Sequence, residues 1–298
     1  MTIRILFAPT ADLAKGTTAD ITVEAEYGSH VWEGSLFTAA HHQKDGPYRG
    51  RHQGGDQPSP CNNHDIPLCP EGGVIGVSHF DLDTLGGVLR AMGLPGFFGG
   101  RLASFWDLAE FVDVNGPHRL SESEASEEDL AYLHAFWAWS SANRNLQRGL
   151  EAVTNVTTFF LDAEVALRAI LQGDEALLAA GQEFREAGER LNADSFVDCD
   201  SGVVCRVHPG FTNHLYVTPK GCVAKAVVAF NQAQGSITIS LAQPVEGVSC
   251  REIVQDLWGP DAGGHDGIAG SPRGVRMRFG DLNSALAQVQ CHLRAKPW

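Results

Sequence analysis

Residues 73–78 read Gly-Val-Ile-Gly-Val-Ser, a run with no alternation of polar and apolar side chains. A strand of that kind has no face to give to water, so it belongs inside a sheet covered on both sides, as in parallel α/β folds. His79, Asp81 and Asp83 follow at once, and residues 84–92 then carry helical apolar spacing. Polar groups at the carboxyl end of a buried strand stand where open α/β sheets place their ligands. Alternation directs His79, Asp81 and Asp83 to one side as long as the chain stays extended. Two carboxylates and an imidazole suit a hard-to-borderline cation such as manganese, magnesium or zinc. An Asp after a strand also caps the next helix, and one of this pair is expected to do so.

Around this core run the pattern is mixed. The N-terminus, residues 19–23 and residues 35–40 read as short strands, and the last of these leads into His41-His42-Gln43. Residues 44–73 are rich in Gly, Pro, Asn and His and read as an irregular loop of a length that is usually functional or disordered, with His52 and His64 read as solvated loop residues. A further apolar run ends at Asp113, with His118 just after a Gly-Pro turn. Residues 121–192 are helical in pattern, opened by the capping box Ser126-Glu127-Glu128-Asp129, with Leu130, Leu133, Phe136 and Trp137 on one core-facing stripe. Strands are expected at 196–207, 215–230, 236–241 and 275–279, and helices at 249–257 and from 281 to about 293.

Composition narrows the function classes. A chain of 298 residues that is 43% hydrophobic can bury one large core or two medium ones. A formal charge of −14 opposes attraction to a nucleic-acid backbone, so a small ligand is expected rather than a long polymer. Seven cysteines without a C-x-x-C pair suit reduced thiols and a cytoplasmic setting. The first apolar stretch is too short for a signal-peptide core, and no run reaches membrane-spanning length, so no membrane partner is expected.

Between the 249–257 helix and the 275–279 strand lies a glycine-dense stretch, with Gly263-Gly264-His265-Asp266-Gly267-Ile268-Ala269-Gly270 at its centre and Arg273 just beyond. So many glycines around one histidine read as a ligand loop, whose backbone can approach an anion closely. In its setting of strand, helix, loop, strand and helix, this stretch resembles the Gly-Gly-His-x-x-Ala-Ala-Gly loop of the C-terminal domain associated with DHH superfamily phosphoesterases. The segment Ser78-His79-Phe80-Asp81-Leu82-Asp83 is similar to that superfamily's first motif, with tighter spacing that leaves either His79 or Asp81 as the first ligand. The run ending at Asp113 is similar to the second motif. The Asp-His-His motif has its nearest match in Ala40-His41-His42-Gln43, with alanine in place of aspartate. Two orders stay open: a permuted one in which His41 and His42 carry the third motif, or a degenerate third motif at Asp113 to His118.

The resemblance implies an α/β fold in two domains joined by helices: a parallel-sheet metal-binding domain over 1–120, a helical connector over 121–193 and a smaller substrate-binding domain over 194–298. It implies metal ligation by His79, Asp81, Asp83, Asp113 and His42, catalytic help from His41, His42 and His118, and substrate phosphate held by Gly263, Gly264, His265 and Arg273. One or two Mn2+ ions, or Mg2+ or Zn2+ in their place, would serve hydrolysis of a phosphate ester in a nucleotide, cyclic dinucleotide or short oligonucleotide. Competing expectations are a nucleotide-binding or regulatory module that has lost catalysis, and a metal-dependent hydrolase of a non-nucleotide substrate. A homodimer is compatible with either.

Overall fold

The computed structural model describes residues 3–25, 32–40, 58–143, 152–272 and 274–294. They fall into two compact units, Met1–Arg185 and Glu186–Trp298. The boundary lies inside a long helix, α6 (Glu175–Ser195).

The first unit is built on a five-stranded sheet of order β3-β2-β4-β1-β5. Strands β1 (Arg4–Phe7), β2 (Ile21–Val23), β3 (Phe37–Ala39) and β4 (Val74–Val77) run parallel, and the two-residue β5 (Thr154–Asn155) closes one edge antiparallel. All of β4 is buried, as the unalternating run at 73–78 requires. On one side the core holds Leu85, Val88 and Leu89 of α2 (Leu82–Ala91), Phe105 and Trp106 of α3 (Ala103–Asn115) and Phe160 and Leu167 of α5 (Thr157–Leu171). On the other side the short α1 (Ala11–Ala14) and Trp32 supply the cover. The indole of Trp32 lies so close over β4 that a Cβ on Gly76 would meet it at 2.9 Å. Buried hydroxyls on β2 and β3 satisfy each other, Thr22 Oγ1 donating to Thr38 Oγ1 at 2.8 Å.

Helix α4 (Glu127–Asn143) opens at the expected box, with the Asp129 N–H donating to Ser126 Oγ at 3.1 Å. Its Tyr132, Leu133 and Phe136 enter the same core as α2, α3 and α5, so most of the expected 121–193 connector is part of the first unit's packing. Fully buried aromatic side chains of this size contribute about 3–5 kcal/mol each relative to alanine, which makes α4 a structural member of the unit.

The second unit carries a six-stranded sheet of order β10-β11-β9-β8-β7-β6. Strands β6 (Phe196–Asp200) and β7 (Val203–His208) form a hairpin where a single strand over 196–207 was expected. β7 and β8 (Ala226–Asn231) are parallel, and β9 (Ser236–Leu241) returns antiparallel. The expected strand over 215–230 is realised only in β8; upstream of it the chain makes a turn fastened by a Val217–Val223 bridge. Helices α7 (Cys250–Trp258) and α8 (Phe279–Leu293) cover one face through Ile253, Val254, Leu282, Ala285 and Val289. The strand expected at 275–279 does not form. Phe279 opens α8 instead, because the Arg278 N–H donates to Asp281 Oδ2 at 2.7 Å and caps the helix there.

The opposite face is closed by residues 209–225, pinned from below by Arg206, which is fully buried. All five guanidinium N–H groups are engaged: Nε donates to Leu215 O, and the terminal nitrogens donate to Asn192 O, Ser195 Oγ, Asn192 Oδ1 and Val217 O, all within 2.9 Å. None of those acceptors is charged, and burial pushes the guanidinium down to about 10. No helix among the described residues is long and apolar enough to cross a membrane, and all seven cysteines are free thiols.

Candidate functional site

The carboxyl ends of β4 and β2 gather the first unit's acids. Asp81 leaves β4 in extended geometry and caps α2, its Oδ1 accepting the Thr84 N–H at 2.7 Å. It is therefore the member of the pair that caps, as expected of one of them. Its second oxygen, Oδ2, lies 3.1 Å from His79 Nε2. Ser78 Oγ donates its proton to the Glu24 carbonyl and sits 2.9 Å from His79 Nδ1. Contacts at both ring nitrogens suit a ring protonated on each of them. Burial works to lower the His79 pKa, but the Asp81 hydrogen bond and the charges of Asp81, Glu24 and Asp113 outweigh it and leave it raised. Burial works to raise Asp81, but His79 and the Thr84 N–H hold it below the usual carboxylate range.

Asp83 stands differently. It lies in the first turn of α2, is 2% exposed, and accepts the Cys61 N–H on Oδ1 at 2.8 Å. Burial, then the charges of Glu24, Asp81 and Asp113, drive its pKa well above the ordinary value, against the Cys61 hydrogen bond. Asp113 sits near the end of α3, on a helix, and its charge reaches both Asp83 and His79.

Glu24 is the acid that sequence reasoning passed over. It follows β2 directly, is 2% exposed, and has a positive φ of 49°, a conformation that a non-glycine residue adopts at a cost. Its N–H donates to Ala39 O at 2.8 Å, so it stands where β2, β3 and β4 end together. In the sequence it is one acid in the alternating stretch Val23-Glu24-Ala25-Glu26, which reads as ordinary strand surface. The signal that could have found it is its place immediately after a short apolar strand, the same place that singles out His79 to Asp83.

Of the expected site residues, His79, Asp81, Asp83 and Asp113 are thus brought within electrostatic reach of one another. At His118 burial, then Arg119, lower the pKa, with Glu122 opposing. His41, His42 and Arg273 lie outside the described residues. Among the described residues, no three His, Cys, Asp or Glu side chains converge into a ready coordination cage.

In the second unit the Gly-Gly-His stretch is a tight hairpin, where an open loop was expected. Strands β10 (Gly263–Gly264) and β11 (Ile268–Gly270) pair antiparallel, and His265 and Ile268 exchange backbone hydrogen bonds of 2.7 and 3.2 Å around a turn at Asp266-Gly267. Gly264 has φ 151°, and a Cβ there would meet Ile268 O at 2.4 Å, so only glycine fits. The turn is tied down on two sides. The Leu241 N–H donates to Gly267 O and the Cys250 N–H to Asp266 O, both at 2.8 Å, and Ser249 Oγ donates to Asp266 Oδ1 at 2.6 Å. Gly263, Gly264 and His265 are exposed on this anchored turn.

Comparison of the chain with models of known protein families and with curated protein sequences gives no match.

Proposed function

We propose that the first unit is a divalent-cation-dependent phosphoesterase centre acting on a small phosphorylated substrate. The observation that carries the reading is the set of four acids, Glu24, Asp81, Asp83 and Asp113, that act on one another or on His79 where the parallel strands end. Two of them, Glu24 and Asp83, are almost wholly buried. Buried like charges are costly unless a proton or a cation sits among them, and burial with the charges of Glu24, Asp81 and Asp113 raises the Asp83 pKa accordingly. Carboxylate oxygens are the donors that Mn2+ and Mg2+ prefer, so the donor set fits such an ion.

When bound, the ion would supply an acidified water and a clamp for phosphoryl oxygens. Glu24, Asp83 and Asp113 are the residues assigned to hold it, with His42 as the sequence resemblance suggests. His79 takes a different part. The Asp81 hydrogen bond and the neighbouring acids raise the His79 pKa, which suits a proton donor to a leaving oxygen. Asp81 favours the protonated ring and orients it. In the second unit, the exposed Gly263-Gly264-His265 turn offers a rigid surface to an anionic group of a ligand, with His265 as a side-chain donor. The acidic balance of the chain favours a nucleotide or a short oligonucleotide over a polymer.

The test is elemental analysis of the purified protein together with a screen of nucleotides, cyclic dinucleotides and short oligonucleotides in Mn2+, repeated on Asp83→Asn. Mn2+-dependent release of phosphate or mononucleotide, lost in the variant, supports the reading. Equal turnover in the two proteins, or nucleotide binding indifferent to a chelator without turnover, replaces it with another enzyme centre or with a binding module.

A further inference from the structure

Helix α2 presents Asp83, Gly86, Gly87 and Arg90 at spacings of three, four and seven, which places them on one face over two turns. Two glycines inside a helix cost about 1 kcal/mol each relative to alanine, so their presence calls for a reason. The reason is the turn Pro60–Asn62, which lies in the groove they leave. A Cβ on Gly86 would meet Cys61 Cβ at 2.4 Å, and one on Gly87 would meet Pro60 Cβ at 2.6 Å. At one end of the groove the Cys61 N–H donates to Asp83 Oδ1 at 2.8 Å; at the other, Arg90 Nε donates to the Cys61 carbonyl at 2.7 Å. Both backbone groups of one residue are therefore gripped by the same helix face.

The turn reaches α3 as well. Asn62 Nδ2 donates to Glu110 Oε2 at 2.6 Å, and Cys61 Sγ lies 3.8 Å from Trp106 O. Asp113 is one turn further along α3. The turn thus joins the helix that carries Asp83 to the helix that carries Asp113. Arg90 is itself held in place, its guanidinium 3.8 Å from the Phe98 ring centroid and one terminal nitrogen 3.3 Å from His64 Nδ1.

We propose that Arg90 is a positioning residue for the acid site, acting on Asp83 through the Cys61 backbone. The inference rests on the reading that this site holds a divalent cation. By fixing the Cys61 carbonyl, Arg90 keeps the Cys61 N–H aimed at Asp83 Oδ1. That bond sets the rotation of the carboxylate. Groups that orient a ligand of the metal in this way are worth about ten- to a hundredfold in affinity.

The experiment uses Mn2+ alone as the probe, titrated by electron paramagnetic resonance against the full chain and Arg90→Met, Arg90→Lys and Leu89→Ala. The Met variant is expected to bind Mn2+ about tenfold more weakly. The Lys variant, which keeps a donor and a charge, should recover most of that loss. Leu89→Ala removes a buried neighbour on another face of α2; it should lower the melting temperature and leave Mn2+ affinity unchanged. Amide exchange of Cys61, followed without metal, gives a second readout: slow in the wild type, fast in Arg90→Met and in Asp83→Ala. An Arg90→Met protein that melts earlier yet keeps both wild-type Mn2+ affinity and a slow Cys61 amide overturns the proposal. Should that variant not fold, Arg90→Lys decides, with a loss of about two- to threefold expected and no loss counting against it. If the wild type binds no Mn2+, the proposed function fails, and the Cys61 amide alone then judges the role of Arg90.

Discussion

The acid site of the first unit and the Gly-Gly-His turn of the second hold their functional groups by opposite means. At the acid site, side chains carry the function and backbone groups steady them: Cys61 N–H on Asp83, Thr84 N–H on Asp81, the Glu24 carbonyl on Ser78. At the hairpin the backbone itself is the surface offered, and it is steadied by strand pairing and by the N–H groups of Leu241 and Cys250. The first arrangement accumulates charge and responds to pH. The second depends on whether the chain can reach one unusual backbone conformation. The two sites should therefore fail for different reasons when perturbed.

The largest effect is expected beneath the acid site. Phe80, between His79 and Asp81 in the chain, is 3% exposed, and its ring lies 4.6 to 6.4 Å from those of Phe136, Trp139, Phe159 and Phe160. Phe80→Ala should cost about 3–5 kcal/mol in chemical denaturation, since a cavity of that size does not collapse. A loss under about 1 kcal/mol would mean that the site has no rigid floor.

Next comes the hairpin. Gly264→Ala places a Cβ against Ile268 O and should destabilise the second unit by about 1–3 kcal/mol, whereas Gly267→Ala, with open space around it, should be close to neutral. Hydrogen exchange at His265 and Ile268 reads the difference. Equal behaviour of the two variants would erase the contrast drawn between the sites.

The pH response sharpens it. Asp83 has its pKa raised on folding, so the folded state keeps a proton that the unfolded chain releases above about pH 4. Its contribution is fully present below that pH and is lost as pH rises towards the folded value. Without metal, the first unit's stability should fall over that window. Asp83→Asn, which keeps an acceptor for Cys61, should flatten the profile, and so should excess Mn2+. Asp81 runs the other way: its pKa is lowered, and its contribution disappears as pH drops below about 4. Thermal denaturation from pH 4 to 8 measures the slope. A rising slope in the metal-free wild type contradicts the electrostatics assigned to Asp83.

The smallest effect belongs to the side chain that tethers the hairpin. Asp266→Ala removes the Ser249 hydrogen bond but leaves the Cys250 and Leu241 anchors, and should cost about 0.5–1.5 kcal/mol.

Where the sequence was legible, one residue's neighbours along the chain carried the information. Residues 73–92 read as a buried strand, a polar corner and a helix because burial and period are local signals, and β4 and α2 follow them closely. The capping residue Ser126 and the amphipathic α7 were readable for the same reason. Glu24 was not, because its setting arises from the pairing of β2 with β4, 54 residues away at Val23 and Val77. The Pro60–Asn62 turn was read only as part of an irregular loop, since nothing local shows that it fills the groove at Gly86 and Gly87. The apolar run ending at Asp113 belongs to a helix, and the alternation at 275–279 gave way to the cap of α8. For Glu24 and the Pro60–Asn62 turn a tertiary partner decided the setting, whereas at 275–279 a cap three residues along the chain did.

Arg206 gives the second unit a latch that acidity cannot open. Its guanidinium, even at about 10, stays charged through any ordinary cellular pH, and its five acceptors are neutral groups with nothing to titrate. The strap over that sheet is therefore locked to the final turn of α6, and unwinding that turn would release it.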